Sequence, residues 1–168
     1  MLILPEFEFY LFDNVGWKVA PNYNGVEIDV NQAHWNSDVE GMGCVIPKQK
    51  AYHVAKPFDA SYECRSEMCL LMEDMGIHVK YHHPEVGAAG QFEIEPQLGQ
   101  MSKMADATMM IKYIIHNTAM KYGKTATFMP KPVMGEAGNG MHVHMLLLKN
   151  GEPVFSDDNG YSNLSETA

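Results

Sequence analysis

The sequence predicts an α+β fold: an antiparallel, curved sheet with metal-ligand side chains on its concave face and two main helices packed on the other. Two observations indicate the sheet. Glu6 and Glu8 stand two residues apart in one strand-like segment, and His142 and His144 stand two residues apart in another. Groups at this spacing project from the same face of a strand. The third observation is a pair of apolar stripes at helical spacing between these segments. The 168 residues, 46% of them hydrophobic, suffice for one core, and we expect a single domain, 1–168.

The first part of the chain is predicted to contain a strand, a hairpin, a long loop and a helix. Apolar and acidic residues alternate over residues 3–12, which indicates a strand. Residues 18–20 and 26–30 form the predicted hairpin, and 31–57 have no periodicity and are expected to be a loop. An apolar stripe then predicts a helix that starts at Asp59 and stops at Gly76.

The second part is predicted to contain a helix and four more strands. Ser102 is expected to cap the helix, and Gly123 to end it. The predicted strands are residues 77–81, 91–95, 125–128 and 141–148.

Bulk composition excludes some classes of function. A formal net charge of −9 argues against a nucleic-acid partner, which usually needs a concentrated basic face. No apolar stretch approaches the ~20 residues that cross a bilayer, and the start of the chain lacks a signal peptide's basic region. Three cysteines without a CxxC pair suit free thiols in a reducing compartment. We therefore expect a cytoplasmic protein with no membrane partner.

A further set of carboxylates lies between the two paired motifs. A Gly-rich turn follows Glu85 and is expected to bring it towards Glu93. Each pattern alone is weak, since a Glu-x-Glu strand is usually a solvated face. Their coincidence favours a shared site for two or more cations in a cleft floored by strands. Carboxylates with two histidines suit Mg²⁺ or Mn²⁺ better than zinc. The ligand candidates are Glu6, Glu8, Glu85, Glu93, His142 and His144.

In order and spacing, five segments resemble bacterial type I glutamine synthetase, and together they run through nearly the whole chain. They are PEFEFYLFD at 5–13, RSEMCLLMEDMG at 65–76, HHPEVGAAGQFE at 82–93, GKTATFMPKP at 123–132 and GMHVH at 140–144. The resemblance implies the N-terminal half of that family's catalytic domain, which is roughly half of its barrel.

The resemblance also implies an activity and a role for each matching residue. The activity is ATP-dependent ligation of ammonia to glutamate through γ-glutamyl phosphate, in a homo-oligomer built as a double ring. One metal would be held by Glu8, Glu85 and Glu93, and a second by Glu6 and His142. The nucleotide would contact His144 and His83, and glutamate would contact Gly138, Ala137 and Gln91.

Some positions depart from the family pattern, and some of its parts are missing. The family usually has asparagine at Ala137, a small hydroxyl residue at Leu146, a nucleotide-contacting glutamate at Lys80 and a polar residue at Pro84. Its N-terminal β-grasp domain, C-terminal arginines, further metal-ligand glutamate and flap glutamate have no counterpart. We expect a chain cut at both ends that does not make glutamine by itself.

Two alternatives stay open from the sequence. One is a ligase of the same superfamily that joins glutamate to a polyamine or another amine, which the change at Ala137 favours. The other is a non-catalytic module that binds metal or nucleotide, because a fold does not fix a function.

Overall fold

The computed structural model describes residues 1–40, 44–87 and 90–168. Their strands are β1 Leu2–Pro5, β2 Phe7–Phe12, β3 Asn14–Ala20, β4 Tyr23–Asp29, β5 Val79–Pro84, β6 Gln91–Pro96, β7 Gly99–Gln100, β8 Thr125–Thr127, β9 Val143–Leu146, β10 Leu148–Lys149 and β11 Glu152–Pro153. The α-helices are α1 Tyr62–Asp74 and α2 Met101–Lys121, and short 3₁₀ helices span His34–Asn36 and Tyr161–Asn163. None of the helices described is long and apolar enough to cross a membrane.

Two antiparallel sheets organise the molecule. The larger has the order β5-β6-β2-β8, and the smaller has the order β7-β1-β9. The strand predicted over 3–12 is divided between them at Glu6, because Pro5 has no N–H to continue a ladder and ends β1. The Glu6 N–H donates instead to the His142 carbonyl at 2.9 Å. The chain therefore passes from one sheet to the other at the first candidate ligand.

The main core lies between the larger sheet and the two helices. Alternate residues of β2 project into it, and Glu8 and Tyr10 therefore project from the opposite face. The arrangement confirms the predicted α+β class, with helices on one face of the sheet and the candidate ligands on the other. The buried members of this core are Phe7, Phe9, Leu11, Cys64, Met68, Cys69, Met72, Phe92, Ile94, Ile111, Ile114, Ile115, Ala119 and Ala126.

A buried ion pair lies at the start of α1. Arg65 is 1% exposed, and its Nη1 and Nη2 donate to Asp59 Oδ1 at 2.9 Å and Oδ2 at 2.6 Å. Its guanidinium also lies 4.5 Å from the centre of the Phe92 ring. The predicted helix start at Asp59 is wrong by three residues, because this carboxylate binds Arg65 and caps no helix. Arg65 thus joins α1 to the sheet.

Other predicted boundaries also move. Ser102 lies inside α2 and does not cap it, because Gln100 still pairs with Leu2 in the smaller sheet and the helix starts at Met101. The predicted strand 77–81 is found as β5, and 141–148 is divided into β9 and β10. The hairpin strands β3 and β4 are longer than predicted and leave a turn of two residues between them. The short strands β7 and β11 were not predicted.

Candidate metal centre

The larger sheet places two candidate ligands, Glu8 and Glu93, in one row with His83. Glu93 of β6 is the direct partner of Glu8 on β2 and of His83 on β5. Direct partners in antiparallel strands project from the same face, so the three side chains are neighbours. Glu93 stands in the middle of the row and is 6% exposed.

The turn after β5 adds Glu85 to this row. Its N–H donates to the Gln91 carbonyl at 2.8 Å, which folds the turn back onto β6. His83 Nδ1 lies 3.6 Å from Glu85, and His83 Nε2 lies 3.8 Å from Glu93. One donor atom from each of these three residues lies within 4.8 Å of the others. The predicted approach of Glu85 to Glu93 is therefore present, while residues 88–89 of the predicted Gly-rich turn lie outside the described part.

Glu8 sits beside this group and is held by the loop that follows Pro130. Its Oε2 accepts hydrogen bonds from the Gly140 N–H at 2.9 Å and from Gln91 Nε2 at 3.3 Å. The donor group of Glu85 and Glu93 thus also contains His83, which the resemblance assigned to the nucleotide, and Glu8 lies next to this group.

A second group forms where the two sheets meet. Glu6 accepts hydrogen bonds from His142 Nδ1 at 3.0 Å and from His144 Nε2 at 2.7 Å when those nitrogens carry protons. Burial raises the pKa of Glu6, but the two histidines outweigh it and leave the pKa lowered. Donor atoms of Glu6, Glu93 and Glu95 also lie within 4.8 Å of one another. Glu93 therefore belongs to both groups.

The Gly-rich loop is fixed by side chains from the sheet. Gln91 is 1% exposed, and its Nε2 donates to the Gly138 carbonyl at 2.9 Å and to Asn139 Oδ1 at 3.1 Å. Its Oε1 accepts from the Gly87 N–H at 3.0 Å, and the Tyr10 hydroxyl donates to the Ala137 carbonyl. A Cβ at Gly138 would lie 2.5 Å from the Pro130 carbonyl oxygen, so this close approach requires glycine.

These elements border an open cleft of about 500 Å³. Acidic groups line one part of it and the backbone of the Gly-rich loop lines another. Its walls are Glu8, Glu85, Val86, Gln91, Ala137, Gly138, Asn139, Gly140 and His142. Candidate ligands from three separate stretches of the chain meet at this cleft.

The electrostatics of the site favour a bound cation. Burial, together with the charges of the neighbouring carboxylates, raises the pKa of Glu93 to about 8. These neighbours are Glu85, Glu6, Glu8 and Glu95. A carboxylate that is hard to ionise among other carboxylates is relieved by a nearby positive charge. Oxygen donors with one or two imidazoles match the preferences of Mg²⁺ and Mn²⁺. The donor set therefore fits such ions.

Sequence reasoning missed two residues of this region, Glu95 and Tyr10. Glu95 follows Gln91 and Glu93 at strand spacing, and that alternation was a signal that could have placed all three on one face. Tyr10 likewise follows Glu6 and Glu8 along the same stretch. Only the fold shows that its hydroxyl reaches Ala137.

Comparisons with known proteins agree on one family. The model of the glutamine synthetase catalytic domain matches residues 1–168. The chain is 44% identical over 172 residues to glutamine synthetase from Salmonella typhimurium, covering 100% of this chain and 36% of that protein. It is 45% identical over 174 residues to the Vibrio cholerae glutamine synthetase, again covering 100% of this chain and 36% of the relative.

A solved structure shows the same fold. The cryo-EM structure of Plasmodium falciparum glutamine synthetase matches with a TM-score of 0.86 and 27% identity, over 98% of this chain and 33% of that one. The chain thus spans 36% of the length of the two bacterial relatives. Because the family model matches residues 1–168 of this chain, the chain belongs to the glutamine synthetase catalytic-domain family.

Proposed function

We propose that this chain supplies the cation-binding part of a glutamine synthetase, which ligates ammonia to glutamate with ATP through γ-glutamyl phosphate. The observation that carries the proposal is the meeting of Glu8 and Glu93, which are partners on one sheet face, with Glu85 from the turn after β5, beside the Gly138 backbone. The family generally uses ATP and divalent metals. Mg²⁺ and Mn²⁺ are the ions that this donor set fits.

Two or more cations would share the acidic residues. Glu8, Glu85 and Glu93 would hold one ion, with His83 beside them, and Glu6 with His142 would hold another. Such ions, when bound, reduce the repulsion between phosphates and carboxylates that must approach each other in phosphoryl transfer. Within the chain, the hydrogen bonds of Glu6 to two histidines keep its carboxylate charged and correctly oriented.

The substrates would lie along the cleft. His144 and His83 are proposed to contact the nucleotide, and Gly138, Ala137 and Gln91 to form the glutamate side. The Gly138 and Ala137 carbonyls are bound to Gln91 and Tyr10, which fixes the direction of the loop backbone. Because glycine has no Cβ, a substrate can approach that backbone closely.

The larger assembly is part of the same proposal. We infer that residues 1–168 form a single domain, the N-terminal half of the catalytic domain, in a cytoplasmic protein that works as a double-ring homo-oligomer. The match of the family model along the whole chain supports this. Glutamate, ammonia and ATP are the proposed partners, and no nucleic acid or membrane is included.

Titration of the 168-residue chain with MnCl₂, followed by calorimetry, tests the proposal. We expect saturable binding that Glu93→Gln weakens at least about tenfold, because changes even outside the ligand set of metal sites typically cost 10–100-fold. Glu8→Ala should also weaken it. Glu27→Gln, at an exposed position of β4, is the matched control and should bind as the unchanged chain does. No binding, or equal binding by the Glu93→Gln chain, would refute the proposed cation site.

The chain by itself is expected to make no glutamine. Arg65 is the only arginine in the sequence, and it is buried against Asp59. No guanidinium is thus left to clamp a substrate carboxylate in the two-bond geometry that arginine provides. A phosphate-release assay with ATP, glutamate and ammonia checks this. Turnover approaching that of a full-length glutamine synthetase would contradict it.

The two alternatives from the sequence are not favoured. The matched bacterial relatives are named glutamine synthetases, and none of these comparisons favours another amine as the acceptor. A non-catalytic module is expected to have lost metal ligands, whereas Glu6, Glu8, Glu85, Glu93, His142 and His144 all remain around the cleft and the sheet junction.

A further inference from the structure

Glu95 is a buried carboxylate with no role in the function proposed above. It is 1% exposed and belongs to the group formed with Glu6 and Glu93 where the two sheets meet. Its Oε1 accepts a hydrogen bond from Lys80 Nζ at 2.6 Å. Its Oε2 is also buried, and no described residue donates a hydrogen bond to it. An unsatisfied carboxylate oxygen at this depth is costly unless a further donor or a cation reaches it.

The surroundings of Glu95 supply less positive charge than the group needs. Glu6, Glu93 and Glu95 place three carboxylates within 4.8 Å of one another, and Lys80 brings one ammonium to them. The Tyr81 hydroxyl is the other polar neighbour. This hydroxyl makes no hydrogen bond to Glu95 Oε2. A divalent ion would balance this group better than the lysine does.

The Lys80 ammonium is exposed enough to move away from the Glu95 carboxylate. The side chain of Lys80 is 48% exposed, while that of its partner Glu95 is 1% exposed. The ammonium therefore approaches from solvent on a flexible stem, and moving it away restores its hydration at little cost. The carboxylates, in contrast, are fixed by β6 and by the junction at Glu6.

We propose that Glu95, together with Glu93, is a further ligand of the second cation, the one assigned above to Glu6 and His142, and that the Lys80 ammonium is a tethered competitor that occupies Glu95 until the ion displaces it. The inference rests on the proposed function, since Glu93 bridges this position and the group of His83 and Glu85. It adds a ligand, Glu95, and a residue that sets the affinity, Lys80. Three carboxylate oxygens are a suitable partial shell for Mg²⁺ or Mn²⁺, with water or substrate oxygens completing it.

Counting bound Mn²⁺ by electron paramagnetic resonance tests the position directly. The unchanged chain should bind two ions, the second more weakly than the first. Glu95→Gln should remove the weaker ion and keep the tighter one, because His83, Glu85 and Glu93 are unchanged. Glu27→Gln, exposed on β4, is the control for the loss of one acidic group.

Lys80→Met tests the competitor and does not depend on the fold tolerating a change at Glu95. Removing the ammonium should tighten the weaker ion about fivefold, the factor that corresponds to an ion pair of about 1 kcal/mol. The rise in melting temperature on adding MnCl₂ should also be larger than in the unchanged chain. Lys18→Met, exposed on β3, is the matched control and should leave both quantities as they were.

The outcomes separate this inference from the proposed function. If two ions bind, Glu93→Gln weakens their binding and Glu95→Gln leaves both unaffected, the proposed function stands and the role of Glu95 is refuted. Unchanged or weaker binding of the second ion by Lys80→Met refutes the competitor role. If the unchanged chain binds no Mn²⁺, both fail.

Discussion

Arg65→Met is expected to lower the free energy of unfolding by about 3–5 kcal/mol, the usual cost of breaking a buried ion pair from one side. The change leaves the Asp59 carboxylate buried without the two hydrogen bonds that Arg65 donates to it. It also removes a guanidinium that lies 4.5 Å from the centre of the Phe92 ring, inside the main core. Urea denaturation at neutral pH, followed by far-UV circular dichroism, measures the loss.

Two further variants show that the pairing causes this effect. Arg65→Met combined with Asp59→Leu should recover much of the stability, because an apolar pair of similar volume removes both buried charges. Lys56→Met breaks a pair with Glu63 in which both side chains are more than half exposed, and it should have little effect. An Arg65→Met chain as stable as the unchanged one would contradict the structural role assigned to this arginine.

Gln91→Leu is expected to disturb both the fold and the proposed metal site. Gln91 connects the turn at Gly87 with the loop at Gly138 and also contacts Glu8, so leucine leaves several buried polar groups without partners. Each such group costs about 1–3 kcal/mol, and we expect a total loss of about 2–4 kcal/mol. Mn²⁺ affinity should fall about tenfold or more, because Glu8 loses a residue that orients it.

The Gln91 prediction can be separated from a general loss of stability. Gln97→Leu makes the same chemical change at an exposed position after β6 and should preserve both stability and Mn²⁺ affinity. Gln91→Glu keeps an acceptor for the Gly87 N–H but loses the donors to Gly138 and Glu8. It should therefore weaken Mn²⁺ binding, and normal binding by the Gln91→Leu chain would refute the orienting role.

Local patterns predicted what depends on local geometry. The spacing correctly placed Glu8 in β2 and His144 in β9, because strand alternation is a property of the backbone itself. Glu6 and His142 lie one residue before these strands, where the chain passes between sheets. Glycine also marked the helix ends correctly, since Gly76 and Gly123 both adopt positive φ after α1 and α2.

Features that depend on distant partners were not predictable in this way. The sequence pattern predicted a helix start at Asp59, but the Asp59 carboxylate instead accepts hydrogen bonds from Arg65. The sequence pattern also predicted that Ser102 caps the second helix, but the pairing of Gln100 with Leu2 sets the start of that helix. The grouping of Glu95 with Glu6 needs both sheets in place, so no single segment carries a signal for it.

The division of the first strand at Glu6 has a consequence for how the molecule folds. Glu6 meets His144 across 138 residues of sequence, so the junction forms only when an early and a late segment close on each other. Closing so large a loop is slow and tends to come after local elements have formed. Ions held at this junction should therefore act mainly by retarding unfolding, since their ligands come together only near the end of the folding pathway.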